Sequence, residues 1–341
     1  ITKKIFFLFF FLANQKLLFA DNIDDKINEV LSPISNLVAS LVFYSLNIFE
    51  TSIPLIVVWL IVAAIFSTLY FKFINFRHFR TAFSLVKNNK EEKNAPGEVT
   101  HRQALWTACA ATVGLGNIAG VAIAVSLGGP GATFWMIIAG LLGMSLKFCE
   151  CTLGVKYRVI NEDGSVSGGP MYYLSRGLDE IGLRKLGRIL AALFAICCIG
   201  GSLGGGNMFQ ANQSFNQFLI ITGGESSFFS DRAWLYGLIL AILLGMVIIG
   251  GIRSIAKVTE KLVPFMAVIY IIAALIIIIL NYEFIGEAIF LIFKGAFTNE
   301  GIAGGFIGVL IQGFRRAAFS NEAGLGSAPI AHSAVKTNYP V

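Results

Sequence analysis

Charge is what this chain has least of. Asp, Glu, Lys and Arg make up 13% of its 341 residues, against 56% hydrophobic residues and a mean hydropathy of +0.74. That balance lies far outside the composition of a soluble domain and implies an integral membrane protein. Alternation of apolar with polar residues is missing too. The apolar residues run continuously, which excludes a barrel of membrane strands and leaves helices. Cysteine is limited to Cys109, Cys149, Cys151, Cys197 and Cys198, all in or beside apolar stretches, where a free thiol acts as a small hydrophobe. Cys149 and Cys151 form a C-x-C without the second pair that a structural zinc site needs. No nucleophile elbow, metal-spaced histidine pair or phosphate loop accompanies Asn321, Glu322 and His332, so an enzyme is not expected.

Apolar sequence of spanning length is there in quantity. A membrane helix needs about 20 such residues, because an unsatisfied backbone cannot be left in hydrocarbon. Candidate spans cover residues 53–71, 103–127, 132–153, 189–220, 233–250, 262–280 and 302–335. Before them, residues 1–20 read as a signal peptide or signal anchor: Lys3 and Lys4 precede the apolar run 5–12 and Ala20 closes the segment, with Leu18 where cleavage prefers a small residue. Residues 21–52 read as an amphipathic helix on the external surface, since a span over 37–49 would be too short.

The few charges set the orientation. Lys72, Arg77, Arg80, Lys87, Lys90, Lys93 and Arg102 crowd the loop after the first span. Alternate loops are basic as well, with Lys156, Arg158, Arg176, Arg184, Lys185 and Arg188 in one and Arg253, Lys257 and Lys261 in another. The opposite loops hold Arg232 and Lys294 among Glu225, Asp231, Glu283, Glu287 and Glu300. Basic loops stay in the cytoplasm, so all seven spans thread without conflict. The net charge of +6 is therefore membrane topology, and no nucleic-acid partner is expected.

Two spans are interrupted. The span from Gln103 contains TVGLGNIAG, with Thr112, Gly114, Gly116, Asn117 and Gly120 near its middle, and the last contains FSNEAGLGSAP. Glycine costs a helix about 1 kcal/mol against alanine and frees the backbone to unwind. Unwound backbone at membrane depth survives only where protein or a wet cavity satisfies it, so both breaks should face inward. Close packing explains glycines, and for Gly200–Gly206 it is the favoured reading, but it does not explain Asn117, Asn321 and Glu322. By the charge rule the two broken spans enter from opposite sides, five helices apart, which is the mark of an inverted-repeat transporter. In such a fold half-helix N-termini face an anionic group and freed carbonyls hold a cation.

The stretches ATVGLGNIAGVAIAVSLGGPGATFWM, KFCECTLGVKYR, GGPMYYL, GGIRSIAKVTEKLVP and FSNEAGLGSAPIAHSA resemble the alanine or glycine:cation symporters, the sodium:alanine symporter family, over residues 36–341. The resemblance implies an all-α LeuT-type inverted-repeat fold in the bacterial inner membrane, with a leading helix at 53–72, a first five-helix repeat at 103–281, and the start of a second repeat at 282–341. It implies import of alanine or glycine with sodium as coupling ion and no other cofactor. Relatives continue for about four more core helices, so either this chain is a non-transporting fragment or amino-acid-binding half, or a second chain supplies the remainder. Ile137 stands where many relatives place a second tryptophan.

Carried over motif by motif, Thr112, Gly114, Leu115, Gly116 and Asn117 would hold the amino-acid carboxylate and help bind sodium. Phe319, Ser320, Asn321, Ala323, Gly324 and Gly326 would form the second half of the pocket, with Phe319 as its closure. Sodium would lie among Gly114, Leu115, Asn117, Asn321 and Glu322. Glu322 would balance a cation or substrate ammonium, or accept hydrogen bonds from loosened backbone N–H groups, the latter being favoured. Asn207 and Gln210 would face the pocket or bond between helices. Lys147 and Glu150, spaced i, i+3, read as a snorkelling ion pair. Arg315 and Arg316 would line the outer vestibule or pair with an outer carboxylate such as Glu300. His332 reads as a satisfied core histidine rather than a proton sensor, and Pro329 as a kink.

Overall fold

The computed structural model describes residues 20–48, 51–88, 95–297 and 305–339. The leader, save Ala20, and Glu300 lie outside them. The chain divides into two compact units, residues 1–58 and 59–341.

In the first unit α1 (Ala20–Val42) is followed by an antiparallel hairpin of β1 (Ser45–Ile48) and β2 (Thr51–Pro54). The hairpin corrects the expectation of one helix through residue 52. In its register Ile48 pairs with Thr51 and Leu46 with Ile53. Leu55 N–H donates to Tyr44 O at 2.9 Å, which closes the hairpin onto the next helix.

The second unit is mostly helical. After α2 (Leu55–Tyr70), the basic loop folds into α3 (Ile74–Arg77) and α4 (Phe79–Asn88). The first interrupted span is α5 (His101–Thr112) and α6 (Leu115–Gly128), and α7 (Gly131–Lys156) runs unbroken behind it. A small hairpin, β3 (Val159–Ile160) with β4 (Val166–Ser167), leads to α8 (Pro170–Glu180). Then α9 (Arg184–Gly201) winds through a π-helical stretch, Ser202–Met208, into α10 (Phe209–Ile221). The chain continues through α11 (Ala233–Ile248), α12 (Gly251–Leu280), α13 (Ile285–Phe297), α14 (Gly305–Asn321) and α15 (Ala328–Ser333). Four stretches, His101–Gly128, Gly131–Lys156, Arg184–Ile221 and Gly251–Leu280, are long and apolar enough to cross a membrane, and Leu55–Tyr70 and Ala233–Ile248 are shorter apolar helices. A multi-pass membrane protein follows from these lengths.

Small residues make the core. Ala104, Ala124, Ala132, Ala139, Gly143, Ser145 and Gly154 are buried, while Ile271, Leu275, Ile279 and their neighbours on α12 are exposed, as lipid-facing residues must be. Without a hydrophobic drive between helices in lipid, close backbone approach over small side chains holds them together. On α7, a methyl group added at Gly154 would stand 2.9 Å from Pro329, and one at Gly143 3.0 Å from Ala323 Cβ. That smooth face is the bed on which the second interrupted span lies.

Two elements had no counterpart in the sequence reading. α13 packs on α7, where Trp135 Nε1 donates to Ala296 O at 3.1 Å and the backbones of Gly131 and Gly295 meet. At the basic end, Arg158 donates to four backbone carbonyls, Ser333 at 2.8 Å, Val335 at 2.6 Å, Pro96 at 2.9 Å and Thr337 at 2.7 Å. This one guanidinium ties the segment before α5 to the segment after α15.

Candidate functional site

The first break is short. A Thr100 and Gln103 capping box starts α5, which ends at Thr112, and Gly114 stands extended before α6 begins. The interruption is closed from within its own span. Asn117 Nδ2 donates to Thr112 O at 3.1 Å, Asn117 N–H donates to Gly114 O at 3.0 Å, and the Thr112 hydroxyl turns back to Ala108 O at 2.9 Å.

The second break runs from Glu322 to Ser327, and three of its residues have left-handed backbone: Glu322 at φ 53°, Gly324 at 86° and Gly326 at 76°. Glycine takes that conformation freely, whereas Glu322 adopts it at a cost of about 1 kcal/mol. Asn321 Oδ1 accepts from Ala323 N–H at 2.9 Å, and Ser327 Oγ donates to Glu322 Oε2. Pro329 sits in the first turn of α15, where its missing N–H costs nothing, so it starts the second half-helix instead of kinking it.

The two interrupted spans cross beside their breaks, at the start of α6 and the end of α14. A Cβ added at Gly116 would lie 2.9 Å from Phe319 O and 3.0 Å from Ser320 Cα, so the spans cross backbone to backbone. Ser320 Oγ donates to Asn117 Oδ1 across the crossing. Gln210 closes a third side, with its amide 3.7 to 3.8 Å from the Cβ position of Gly114. Phe319 lies edge-on to Phe209, ring centroids 6.1 Å apart, and reaches Gly205 of the π-helical stretch. Of the residues singled out in the sequence, Gly114, Gly116, Asn117, Gln210, Phe319 and Ser320 are thus brought together, with Thr112 and Leu115 flanking the first break.

The others point elsewhere. Asn321 faces Gly143 of α7 and its own loop, Gly324 packs beneath Leu60 and Leu146, and Gly326 beneath Pro170 and Phe194. Asn207 is exposed, and its side chain makes no hydrogen bond among the described residues. Helix packing does not account for the glycine run either, because nothing comes within 4 Å of the Cβ positions of Gly200, Gly201 and Gly204, and the run forms a π-helix instead. π-Helical turns are frequent at functional sites.

The Lys147 and Glu150 ion pair is corrected. Lys147 Nζ donates to Glu322 O at 2.8 Å. Glu150 is buried, and the N–H groups of Gly324 and Gly326 turn to its carboxylate. The loosened N–H groups expected at Glu322 are therefore served by Glu150, from another helix, while the Glu322 carboxylate takes the Ser327 hydroxyl. Tyr173 of α8 stands near Glu150, and burial together with that charge raises its pKa. His332 is half-buried and its ring has no hydrogen-bond partner among the described residues, so it is not the satisfied core histidine expected. Arg316 Nε is buried without a partner among the described residues.

A crossing of two unwound helices offers ends of helix dipoles, freed backbone groups and one amide on each side. Such a site suits a small zwitterion and a cation. It has no metal-binding cluster of His, Cys, Asp or Glu among the described residues.

Comparison with known proteins agrees with the chain-wide pattern. The model of the sodium:alanine symporter family matches residues 36–341. The sodium/alanine symporter AgcS of Methanococcus maripaludis is 43% identical over 288 residues, 84% of this chain and 61% of that protein. The amino-acid carrier protein AlsT of Bacillus subtilis is 37% identical, covering 82% of this chain and 57% of its own length. A Bacillus subtilis protein named "Probable sodium/glutamine symporter GlnT" is 38% identical, over 84% of this chain and 57% of its own. The chain spans about three fifths of the length of these curated relatives.

Proposed function

The chain belongs to the sodium:alanine symporter family, and from that premise we propose that it imports a small neutral amino acid, alanine or glycine, coupled to sodium across a bacterial inner membrane. The family is one of transporters, not enzymes. The observation that carries the proposal is the contact of the two breaks, where Gly116 lies against Phe319 and Ser320 and the Ser320 hydroxyl meets Asn117.

In this reading α5 to α12 form the first repeat of a LeuT-type fold and α14 with α15 its second-repeat counterpart. The start of α6 presents N–H groups, with Leu115, to the substrate carboxylate. The ends of α5 and α14 present carbonyls to the ammonium group and to sodium, with Asn117 fixing the first of them. Gly114 and Gln210 bound the space for the side chain, and Phe319 covers it. Neither a second chain nor a non-transporting fragment gains support from the relatives, and neither belongs to the proposal.

The test is alanine uptake into proteoliposomes carrying the full chain, with and without an inward sodium gradient. Uptake should require sodium and fall at least about tenfold in Asn117→Ala, which loses both its bond to Thr112 O and the acceptor for Ser320. Uptake indifferent to sodium, or to this substitution, overturns the reading.

A further inference from the structure

The second break is built differently from the first, because a helix that is not part of it adds to the bonds its own residues make. Lys147 and Glu150 sit one turn apart on α7, so both side chains face the same side. Lys147 Nζ takes Glu322 O at 2.8 Å, the first carbonyl past the end of α14. Glu150 Oε1 lies 4.0 Å from the Cβ position of Gly324, on the side of the loop's N–H groups, and its second oxygen, Oε2, is buried with no partner among the described residues. One ammonium and one carboxyl group on a rigid helix thus lie against the backbone of a six-residue unwound loop, the first bonded to its Glu322 carbonyl.

From this we infer that Lys147 and Glu150 are positioning residues of the transport site, which clamp the second break in its bound shape and so set substrate affinity. The inference rests on the reading of the crossing as the site. Neither side chain touches the crossing itself; both act through the backbone of residues 322–326. An unclamped loop would sample many conformations, and binding would then have to order it, which lowers affinity. The glycines are consistent with this. Gly324 and Gly326 turn left-handed, at φ 86° and 76°, and in that turn their N–H groups reach Glu150.

Two substitutions remove the clamp while keeping side-chain bulk, Lys147→Met and Glu150→Leu, and two retain a donor or acceptor, Lys147→Arg and Glu150→Gln. Each is reconstituted as the full chain, and both alanine uptake and amide exchange of the peptide covering residues 322–327 are measured. The first pair should raise the uptake KM about tenfold or more with maximal rate within about threefold, and should speed exchange of the loop about tenfold. The second pair should recover most of both. A merely structural role would lower the amount of folded protein without splitting KM from rate. Unchanged loop exchange in both Lys147→Met and Glu150→Leu overturns the clamp, and faster exchange with unchanged KM overturns its link to affinity. If wild type transports neither alanine nor glycine, the reading of the site fails, and loop exchange alone then decides whether the clamp exists.

Discussion

The two breaks solve one problem in opposite ways. Between α5 and α6 the interruption is only Val113 and Gly114, the backbone stays at negative φ, and Asn117 of the same span satisfies the exposed Thr112 carbonyl. Between α14 and α15 six residues unwind, three of them left-handed, and side chains of α7 join those of the break itself as partners. A short break can be capped by a residue one turn on, because the side chain and the orphan carbonyl lie within reach along one axis. A long break outruns its own side chains and needs a neighbouring helix as scaffold. The first break therefore depends on its own sequence, and the second on how closely α7 can approach.

Breaking the contact between them gives the largest expected effect. At Gly116 an added Cβ meets backbone atoms, Phe319 O at 2.9 Å and Ser320 Cα at 3.0 Å, and backbone cannot swing aside as a side-chain tip can. Gly116→Val should cost about 3 kcal/mol at the crossing, the upper end for overpacking, which corresponds to uptake reduced more than about a hundredfold. Gly200→Ala serves as the contrast, since nothing lies within 4 Å of its Cβ position, and there uptake should stay within about twofold. Equal losses in both would mean that helix flexibility, not the crossing, matters.

The difference between the breaks is sharpened by asking which needs glycine. Gly324→Ala places a Cβ at φ 86°, 2.7 Å from Leu60 Cδ2, and should destabilise by about 1 to 3 kcal/mol, read as a lower unfolding midpoint in detergent. Gly114→Ala meets only the Gln210 amide at 3.7 Å, an ordinary contact, so stability should change by less than about 0.5 kcal/mol. The new methyl occupies the space assigned to the substrate side chain. Uptake should therefore shift from alanine toward glycine, measured as the ratio of the two in competition; an unchanged ratio would place the substrate elsewhere.

How much of this is legible in the sequence follows the same division. Apolar length located the spanning helices, and Gly-Leu-Gly-Asn and Ser-Asn-Glu-Ala-Gly located both breaks, because glycine beside a polar residue is anomalous in a greasy run. The structure places Asn117, Ser320 and Gln210 near one another. Lys147 and Glu150 did not read correctly, since an i, i+3 spacing suggests an ion pair whenever the helix is considered alone. Their real partners are about 175 residues away, and no local pattern encodes that. The hairpin of Ser45–Ile48 with Thr51–Pro54 is hidden behind an amphipathic pattern that suits a helix as well, and the helix Ile285–Phe297 lies in a segment where charge is the plainest signal. Alternating Leu46, Ile48 and Ile53, and the amphipathic IGEAIFLIFKGAF, were the available signals.

The smallest effect is expected far from both breaks, where their inner ends are joined. Glu98 Oε1 accepts from Val166 N–H at 2.9 Å, and its Oε2 pairs with Arg253 at 3.2 Å. The Arg253 side chain is 61% exposed, so solvent screens the pair and the flexible arm loses entropy in holding it. Glu98 N–H also donates to Ala334 O at 2.7 Å, and the same two segments are gripped by four hydrogen bonds from Arg158. Arg253→Ala should therefore lower stability by no more than about 1 kcal/mol, and less in high salt, with uptake nearly unchanged. If it impairs uptake as Gly116→Val does, the inner ends control the crossing, and the self-capped break is not self-sufficient after all.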